Sequence, residues 1–582
     1  MYKRKEEHSW DHTALKRSRY VVFEIDAAWM LCSSVLDKNF LLEFLNFTRT
    51  LLCEYSCVSA MYAQLRKWSQ SVSKKYVCVQ FYCENIVKHK IATNTFEPKP
   101  FRNIPGPKSL PIIGTLYKYL PLIGEYSFTN LYESGIKRLK RFGPLVREEI
   151  VPNVNIVWIY RPNDIAEIFK AESGLHPERR SHLALLKYRK DRTDVYSTGG
   201  LLPTNGPEWW RLRKEFQKLT SKPQDVINYL EETDCVVQEF VELCDKEKYE
   251  DFLQILSRLF LELTCLVVFD TRLNSFSKEE RSADSKSSKL IEAAFATNSA
   301  ILKLDNGLQL WRFFETPLYR KLRKAQAYME TIALELVFHK NGDLQVKRNK
   351  SFLNAYLENP ALDIKDVVGM ACDMLLAGID TTTYSTAFTL YHLAKNQDTQ
   401  EKLRSEAMQL LPHHNQPITA EILRNASYTK AVIKESLRLN PISVGIGRIL
   451  QTDVIISGYQ VPKGTVVVTQ NQIICRLPEY FSDPDSFKPE RWLRENIENN
   501  KVSSGKSVHP YVLLPFGHGP RSCIARRFAE QNMQVLLLRM CRKLKFSWHG
   551  DQLGMISLLI NKPDGPMKFK FSNIVKDDRV SF

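Results

Sequence analysis

No two cysteines in this chain of 582 residues are spaced C-x-x-C, although it contains twelve of them. Five fall before residue 84 and the others are scattered singly. That distribution fits neither a secreted disulfide framework nor a zinc site, so most are read as reduced, structural thiols. Gly517-His518-Gly519 does not extend to a G-x-G-x-x-G, which leaves a dinucleotide site unsupported. There are no internal repeats of the kind that build a solenoid. In the first 60 residues Glu24, Asp26, Asp37, Lys38, Glu43 and Arg49 interrupt every apolar stretch. None reaches the roughly 18 residues that span a bilayer. The net charge of +17 comes without a nucleic-acid-binding motif, so nucleic acid is set aside. The charge suits acidic partners or anionic lipid surfaces instead.

What the chain does have is concentrated near its C-terminus, where Phe516–Ala525 reads F-G-H-G-P-R-S-C-I-A. Cys523 stands behind two glycines and an arginine, just ahead of the helix-like run Ile524–Leu538. Glycine lets the backbone turn tightly and pack flat against a macrocycle. The following helix aims amides and its positive dipole end at the sulfur, an arrangement expected to lower the thiol pKa. A thiolate held this way suits a haem iron, to which it donates electron density that favours O–O cleavage. The bland alternative is a buried cysteine in an ordinary loop-to-helix turn.

The whole decapeptide resembles the haem-binding loop of the cytochrome P450 family, F-x-x-G-x-R-x-C-x-G. Phe516, Gly519, Arg521 and Cys523 stand in their places, and Ala525 replaces the last glycine at the cost of one methyl group. The resemblance implies a mainly α fold with small β-sheets: one large domain over residues 101–582 with a long central helix above the haem. It implies haem b with Cys523 as the axial iron ligand, Phe516 and Arg521 beside the haem, and O2 as co-substrate.

Ala377-Gly378-Ile379-Asp380-Thr381-Thr382 lies in a run from about Ile364 to Leu393 that reads as a long buried helix. Gly378 and the threonines weaken it locally, and a threonine hydroxyl can bond back one turn and bend it. In the family this pattern lies above the haem. The chemistry there needs protons delivered to oxygen, which makes Asp380 and Thr381 the candidate acid and alcohol. Otherwise these are helix-bending threonines with a solvent-facing aspartate.

E-x-x-R patterns include Glu401–Arg404, Glu421–Arg424 and Glu435–Arg438. Only the third precedes Leu439-Asn440-Pro441, with Phe487-Lys488-Pro489-Glu490-Arg491-Trp492 downstream. By resemblance Glu435, Arg438 and Arg491 lock together behind the haem, a structural role, since a buried carboxylate is costly unless paired. The other two read as surface i,i+3 pairs. Gly206-Pro207-Glu208-Trp209-Trp210-Arg211-Leu212-Arg213 resembles the family's W-x-x-x-R helix. Trp209 and Arg213 lie one turn apart and can reach the same group. With Arg448 and Arg521 they are the implied donors to haem propionates.

Lys430 and Lys434 form an i,i+4 basic pair, and Arg526 and Arg527 follow the cysteine. In mitochondrial members the matching residues dock an acidic ferredoxin, opposite charge there raising encounter rate and setting orientation. The alternative is a solvated lysine face. With no nucleotide site, reducing equivalents come from NADPH only indirectly, through an adrenodoxin-like ferredoxin and its reductase. Residues 61–100 carry seven Lys/Arg against two Glu and resemble a mitochondrial transit peptide. Met61 is then a candidate initiator, and residues 1–60 an extension of uncertain reality. The expected location is the matrix side of the mitochondrial inner membrane, with peripheral membrane association.

Coarse strand signals lie at Val154–Tyr160 and Tyr459–Val468, the latter turning at Pro462-Lys463-Gly464. Lys562-Pro563-Asp564-Gly565 is expected to be the turn of a hairpin, and Ser275–Lys289 a mobile connection or helix start. Within the family, Gly199–Leu219 and Pro515–Arg539 resemble the insect mitochondrial ecdysteroid 22-hydroxylases. The implied substrate is a 22-deoxy ecdysteroid precursor, most simply 2,22-dideoxyecdysone. The rivals are a mitochondrial enzyme acting at another ecdysteroid position or on a xenobiotic, a haem-thiolate isomerase, and a haem-thiolate protein that binds ligand without turnover.

Overall fold

A computed structural model of the chain describes residues 97–172, 174, 176–342, 351–493 and 508–574. The readings of residues 1–60 and of 61–96 lie outside the described residues. Among the described residues helices dominate, with four small sheets. The axis of the fold is the helix Ile364–Lys395, opened by a capping box in which Asp363 and Asp366 each accept the other's backbone N–H. It is apolar nearly all round, and such a helix must be buried. Leu375, Leu376 and Ile379 belong to one core, packed with the helices Lys286–Asn306 and Pro317–Gly342. Ala387, Leu390 and Leu393 belong to a second, with Val535–Leu538 of the helix Arg526–Lys543. Burying each large aliphatic side chain is worth about 1.5–3 kcal/mol, so this one helix joins two hydrophobic reservoirs.

Among the described residues one helix, Phe252–Phe269, is long and apolar enough to cross a membrane. Most of it is buried against Ile364–Lys395 and its neighbours, which makes it a core helix.

Ten strands among the described residues complete the fold. In chain order they are β1 (Leu145–Val151), β2 (Val154–Ile159), β3 (Gly447–Ile449), β4 (Val454–Ile456) and β5 (Tyr459–Val461), then β6 (Val466–Thr469), β7 (Leu544–Trp548), β8 (Met555–Ser557), β9 (Asn561–Pro563) and β10 (Phe569–Asn573). The main sheet runs β1-β2-β6-β3, with β2 and β6 parallel and the other pairs antiparallel. Its register sets Arg448 opposite Val467 at the sheet edge. Tyr459–Val468 divides at the expected turn, but its halves part company: β5 pairs with β4, and β6 joins the main sheet.

The hairpin expected at Lys562–Gly565 is displaced. Lys562 and Pro563 lie inside β9, which pairs with β8 across a turn at 558–560, while β10 pairs with β7. Nor is Ser275–Lys289 a loose connection. The Arg258 guanidinium ties its turns through the Glu280 carbonyl (2.6 Å) and Ser288 Oγ (2.6 Å), and the helix starts at Lys286 with Ser285 as its cap.

Candidate active site

One cavity of about 480 Å³ lies where these elements meet. Its wall takes Phe516, Arg521 and Cys523 from the loop before Arg526–Lys543, and Ala377, Gly378, Thr381 and Thr382 from the central helix. Trp209 and Arg213 of the helix Gly206–Thr220 line it, as does Arg448 of β3. Ile442, Gly445 and Ile446 face it too, as do Leu559 and Ile560 of the β8–β9 turn.

The loop presents its cysteine by a backbone device. Gly517 and Gly519 adopt φ of +75° and +68°, a region that a side chain would strain. The chain then folds back so that the Cys523 N–H donates to the Phe516 carbonyl at 2.8 Å. Cys523 is exposed, but to the cavity it lines. The expected lowering of its thiol pKa is overturned: burial pushes it up, outweighing the Ala525 N–H and the Arg213 and Arg526 charges that pull it down. Low dielectric penalises an isolated thiolate more than these donors repay. Such a thiol loses its proton when a cation takes the sulfur.

Four arginines gather near one another with little to balance them. Burial, with Arg179, Arg448 and Arg213 close by, pushes Arg521 down to about 8. Burial pushes Arg213 down to about 10, and burial with the charges of Arg448 and Arg213 does the same to Arg179. Arg448 pairs with Glu172 at 2.8 Å. Arg521 donates to the Pro177 carbonyl (2.6 Å) and Asn205 Oδ1 (2.7 Å), yet its Nη1 is buried without a hydrogen-bond partner among the described residues. Its guanidinium lies 4.2 Å from the Trp209 ring centre. A buried cationic cluster of this kind fits a planar apolar ligand with carboxylate substituents. The residues present thus fit haem: Cys523 for iron, and Arg179, Arg213, Arg448 and Arg521 with Trp209 for its propionates. Arg179, in the loop before the helix Leu183–Lys190, escaped sequence reading. The Arg179-Arg180 doublet was its one signal.

Thr381 and Asp380, neighbours in sequence, face different surroundings. The Thr381 hydroxyl lines the cavity and donates to the Ala377 carbonyl at 2.7 Å. Asp380 is buried and off the cavity wall, accepting from Asn298 Nδ2 at 2.9 Å. Burial pushes its carboxyl up to about 8, against the Asn298 hydrogen bond and Lys562. The alternative of a solvent-facing aspartate is therefore ruled out.

Glu435 accepts two bonds from Arg438 (2.8 and 2.9 Å), one from Arg491 Nε (3.0 Å) and one from Trp492 Nε1 (2.9 Å). Glu401 and Arg404 form an i,i+3 pair at 2.9 Å with the glutamate exposed, but it is not the expected surface pair: Arg404 is buried and also donates to Gln400 Oε1 and the Cys541 and Leu544 carbonyls. The four basic residues considered for partner docking are exposed but do not share one environment. Lys434 sits 4.0 Å over the Trp492 ring with Arg526 near it, and Lys430 donates to the Arg424 carbonyl. Arg526 pairs with Glu530 at 3.0 Å, and Arg527 turns instead to the Ser221 carbonyl.

Comparison with known proteins agrees with this geometry. Residues 104–571 match the model of the family described as Cytochrome P450. The Drosophila melanogaster protein named Cytochrome P450 302a1, mitochondrial, is 51% identical over 477 residues, covering 81% of this chain and 94% of its own. Probable cytochrome P450 301a1, mitochondrial, of the same organism is 30% identical over 491 residues, 82% of this chain and 87% of its own. Ecdysone 20-monooxygenase of the same organism is 31% identical over 456 residues, 75% and 82%. The exposed thiol in the cavity, the arginine cluster and the match across nearly all described residues agree on one conclusion: this chain belongs to the cytochrome P450 family, the haem-thiolate, O2-using monooxygenases.

Proposed function

We propose that the protein hydroxylates a steroid, at C22 of an ecdysteroid precursor such as 2,22-dideoxyecdysone, in moulting-hormone biosynthesis. The observation that carries this reading is the cavity itself, with Cys523 and Thr381 on walls that are otherwise largely apolar. The choice of steroid and carbon rests on the likeness of Gly199–Leu219 and Pro515–Arg539 to insect ecdysteroid 22-hydroxylases. A second reading, another ecdysteroid position, draws support from the relative named Ecdysone 20-monooxygenase.

Haem bound through Cys523 supplies oxygen activation and insertion into a C–H bond. The protein's own residues do the rest. Arg179, Arg213, Arg448 and Arg521 neutralise the acidic edge of the cofactor, Ile442 and Ile446 hold the apolar substrate, and Glu435, Arg438 and Arg491 fix the loop behind. Thr381 holds its hydroxyl at the cavity, and Asp380 is the acid that renews protons there.

Electrons arrive from an adrenodoxin-like ferredoxin and its NADPH-dependent reductase, docking at Lys430, Lys434, Arg526 and Arg527. Relatives named mitochondrial support a mitochondrial location, here on the matrix side of the inner membrane. Exposed Ile112, Leu122, Ile123, Phe313 and Phe314 support peripheral association with the bilayer. Residues 61–100 act as the transit segment, with Met61 the initiator ahead of which 1–60 is an extension, and 101–582 the working domain. Reconstitution with a mitochondrial ferredoxin system and candidate precursors, with products identified by mass spectrometry, tests the reading. A 22-hydroxylated product is expected. Oxidation at another carbon moves the assignment, and absence of any turnover overturns it.

A further inference from the structure

Asp380 has one hydrogen-bond partner among the described residues, and it comes from another helix. Asn298, on Lys286–Asn306, spends its Nδ2 hydrogens on two acceptors of the central helix, the Leu376 carbonyl at 3.2 Å and Asp380 Oδ2 at 2.9 Å. Both acceptors are oxygens, so the amide nitrogen is the end that faces the central helix. Asn298 lines the cavity, and Asp380 does not. Asp380 Oδ1 is buried with no hydrogen-bond partner among the described residues. The other groups that bear on this carboxyl are Lys562 of β9 and Tyr384, one turn on along its own helix.

We propose that Asn298 is the positioning residue for Asp380, holding the carboxyl against Lys286–Asn306. This rests on the role proposed above for Asp380 as the proton-supplying acid. The carboxyl lies off the cavity wall, so where it sits is set by what holds it there. Burial raises the carboxyl, and the Asn298 hydrogen bond is the larger of the two influences that hold it down. Removing that donor therefore moves the acid's titration upward and unseats its Oδ2.

The test uses the haem-loaded enzyme with ferredoxin and reductase, on any substrate that it turns over. Asn298→Leu, Asp380→Asn and the double variant are compared for product formed per NADPH consumed. The Asp380 carboxyl stretch is followed against pH by infrared difference spectroscopy of the ferric resting protein, identified by its loss in Asp380→Asn. Asn298→Leu is expected to keep the thiolate spectrum, lower coupling about fivefold or more and raise the midpoint of the carboxyl titration. In the double variant it is expected to add nothing to Asp380→Asn, the mark of two residues acting as one. Asn298→Ser makes the same comparison should the leucine variant lose haem. An unmoved titration midpoint, or effects that multiply in the double variant, overturns the assignment of Asn298 while leaving the acid in place. Full coupling in Asp380→Asn overturns the acid itself, and Asn298 with it.

Discussion

The Arg521 guanidinium stacks 4.2 Å from the Trp209 ring centre, so a loop residue two positions before Cys523 is braced by a helix three hundred residues earlier in the chain. The contact has a double use. It desolvates Arg521, which pushes the guanidinium down to about 8, and it leaves Nη1 directed nowhere among the described residues. Pairing that cation with an anion removes the cost of burying it alone.

Arg521→Gln is expected to weaken haem retention roughly tenfold to a hundredfold, the worth of one charge-assisted hydrogen bond at about 1.5–3 kcal/mol. Haem transfer to an apo-globin measures this. Retention equal to wild type would show that Arg179, Arg213 and Arg448 suffice.

Glu435→Ala leaves Arg438 and Arg491 buried against no carboxylate. Breaking such a cluster costs about 3–5 kcal/mol, so soluble holoprotein should largely disappear and any remainder melt markedly lower. Glu401→Ala removes an exposed carboxylate from an arginine that keeps Gln400 and the Cys541 and Leu544 carbonyls as acceptors, so it should change the melting temperature by no more than a degree or two, a contribution of about 0–1 kcal/mol.

Thr381→Ala removes the hydroxyl at the cavity wall together with its bond to the Ala377 carbonyl. The thiolate spectrum should stay, while several-fold more of the electrons leave as hydrogen peroxide. Peroxide and product measured together decide the matter, and unchanged coupling would take Thr381 out of the mechanism.

Gly378 has no room for a side chain. A Cβ there would stand 2.7 Å from Thr264 Oγ1 and 3.0 Å from its Cγ2. Alanine is the better helix former, yet Gly378→Ala should destabilise by about 1–3 kcal/mol through overpacking. Thr264→Ala in the same protein should restore most of the loss in a denaturation series.

The pH dependence of stability follows from Asp380. Its folded carboxyl lies near 8 against the ordinary 3.8, so the fold binds this proton more tightly than the unfolded chain does. Stability from this group is complete below the ordinary value and falls as pH rises toward 8, by an amount on the order of a few kcal/mol. The melting temperature of Asp380→Asn relative to wild type should therefore rise between pH 5 and pH 8. A flat difference would place the carboxyl in its usual range.

Local chemistry was readable wherever adjacent residues carry it. The glycines around Cys523, the turn spacing of Trp209 and Arg213, and the Glu435-x-x-Arg438 pair with its downstream partner all meet in space as their patterns imply. What escaped depends on which element packs on which. Nothing in the sequence assigns Asn298 to Asp380, since the two meet only because the helices Lys286–Asn306 and Ile364–Lys395 pack side by side. Arg179 sits in a loop without periodicity. The β8–β9 turn went unseen because its apex is apolar, Leu558-Leu559-Ile560, where turn chemistry usually shows glycine or asparagine. The sulfur's proton affinity failed for a related reason, burial being a property of the assembled fold.

That apolar apex has a bearing on how the protein matures. Ile560 and Leu559 close a chamber begun by Arg179 and Trp209, and Asn561 bolts the apex down by donating to the Ile442 and Pro441 carbonyls at 2.9 and 2.8 Å. Ribosomes deliver these pieces in order, so the chamber stays open on one side until almost all of the described domain has been synthesised. A nascent chain halted short of β9 would therefore lack the wall that Leu559 and Ile560 supply beside its thiol.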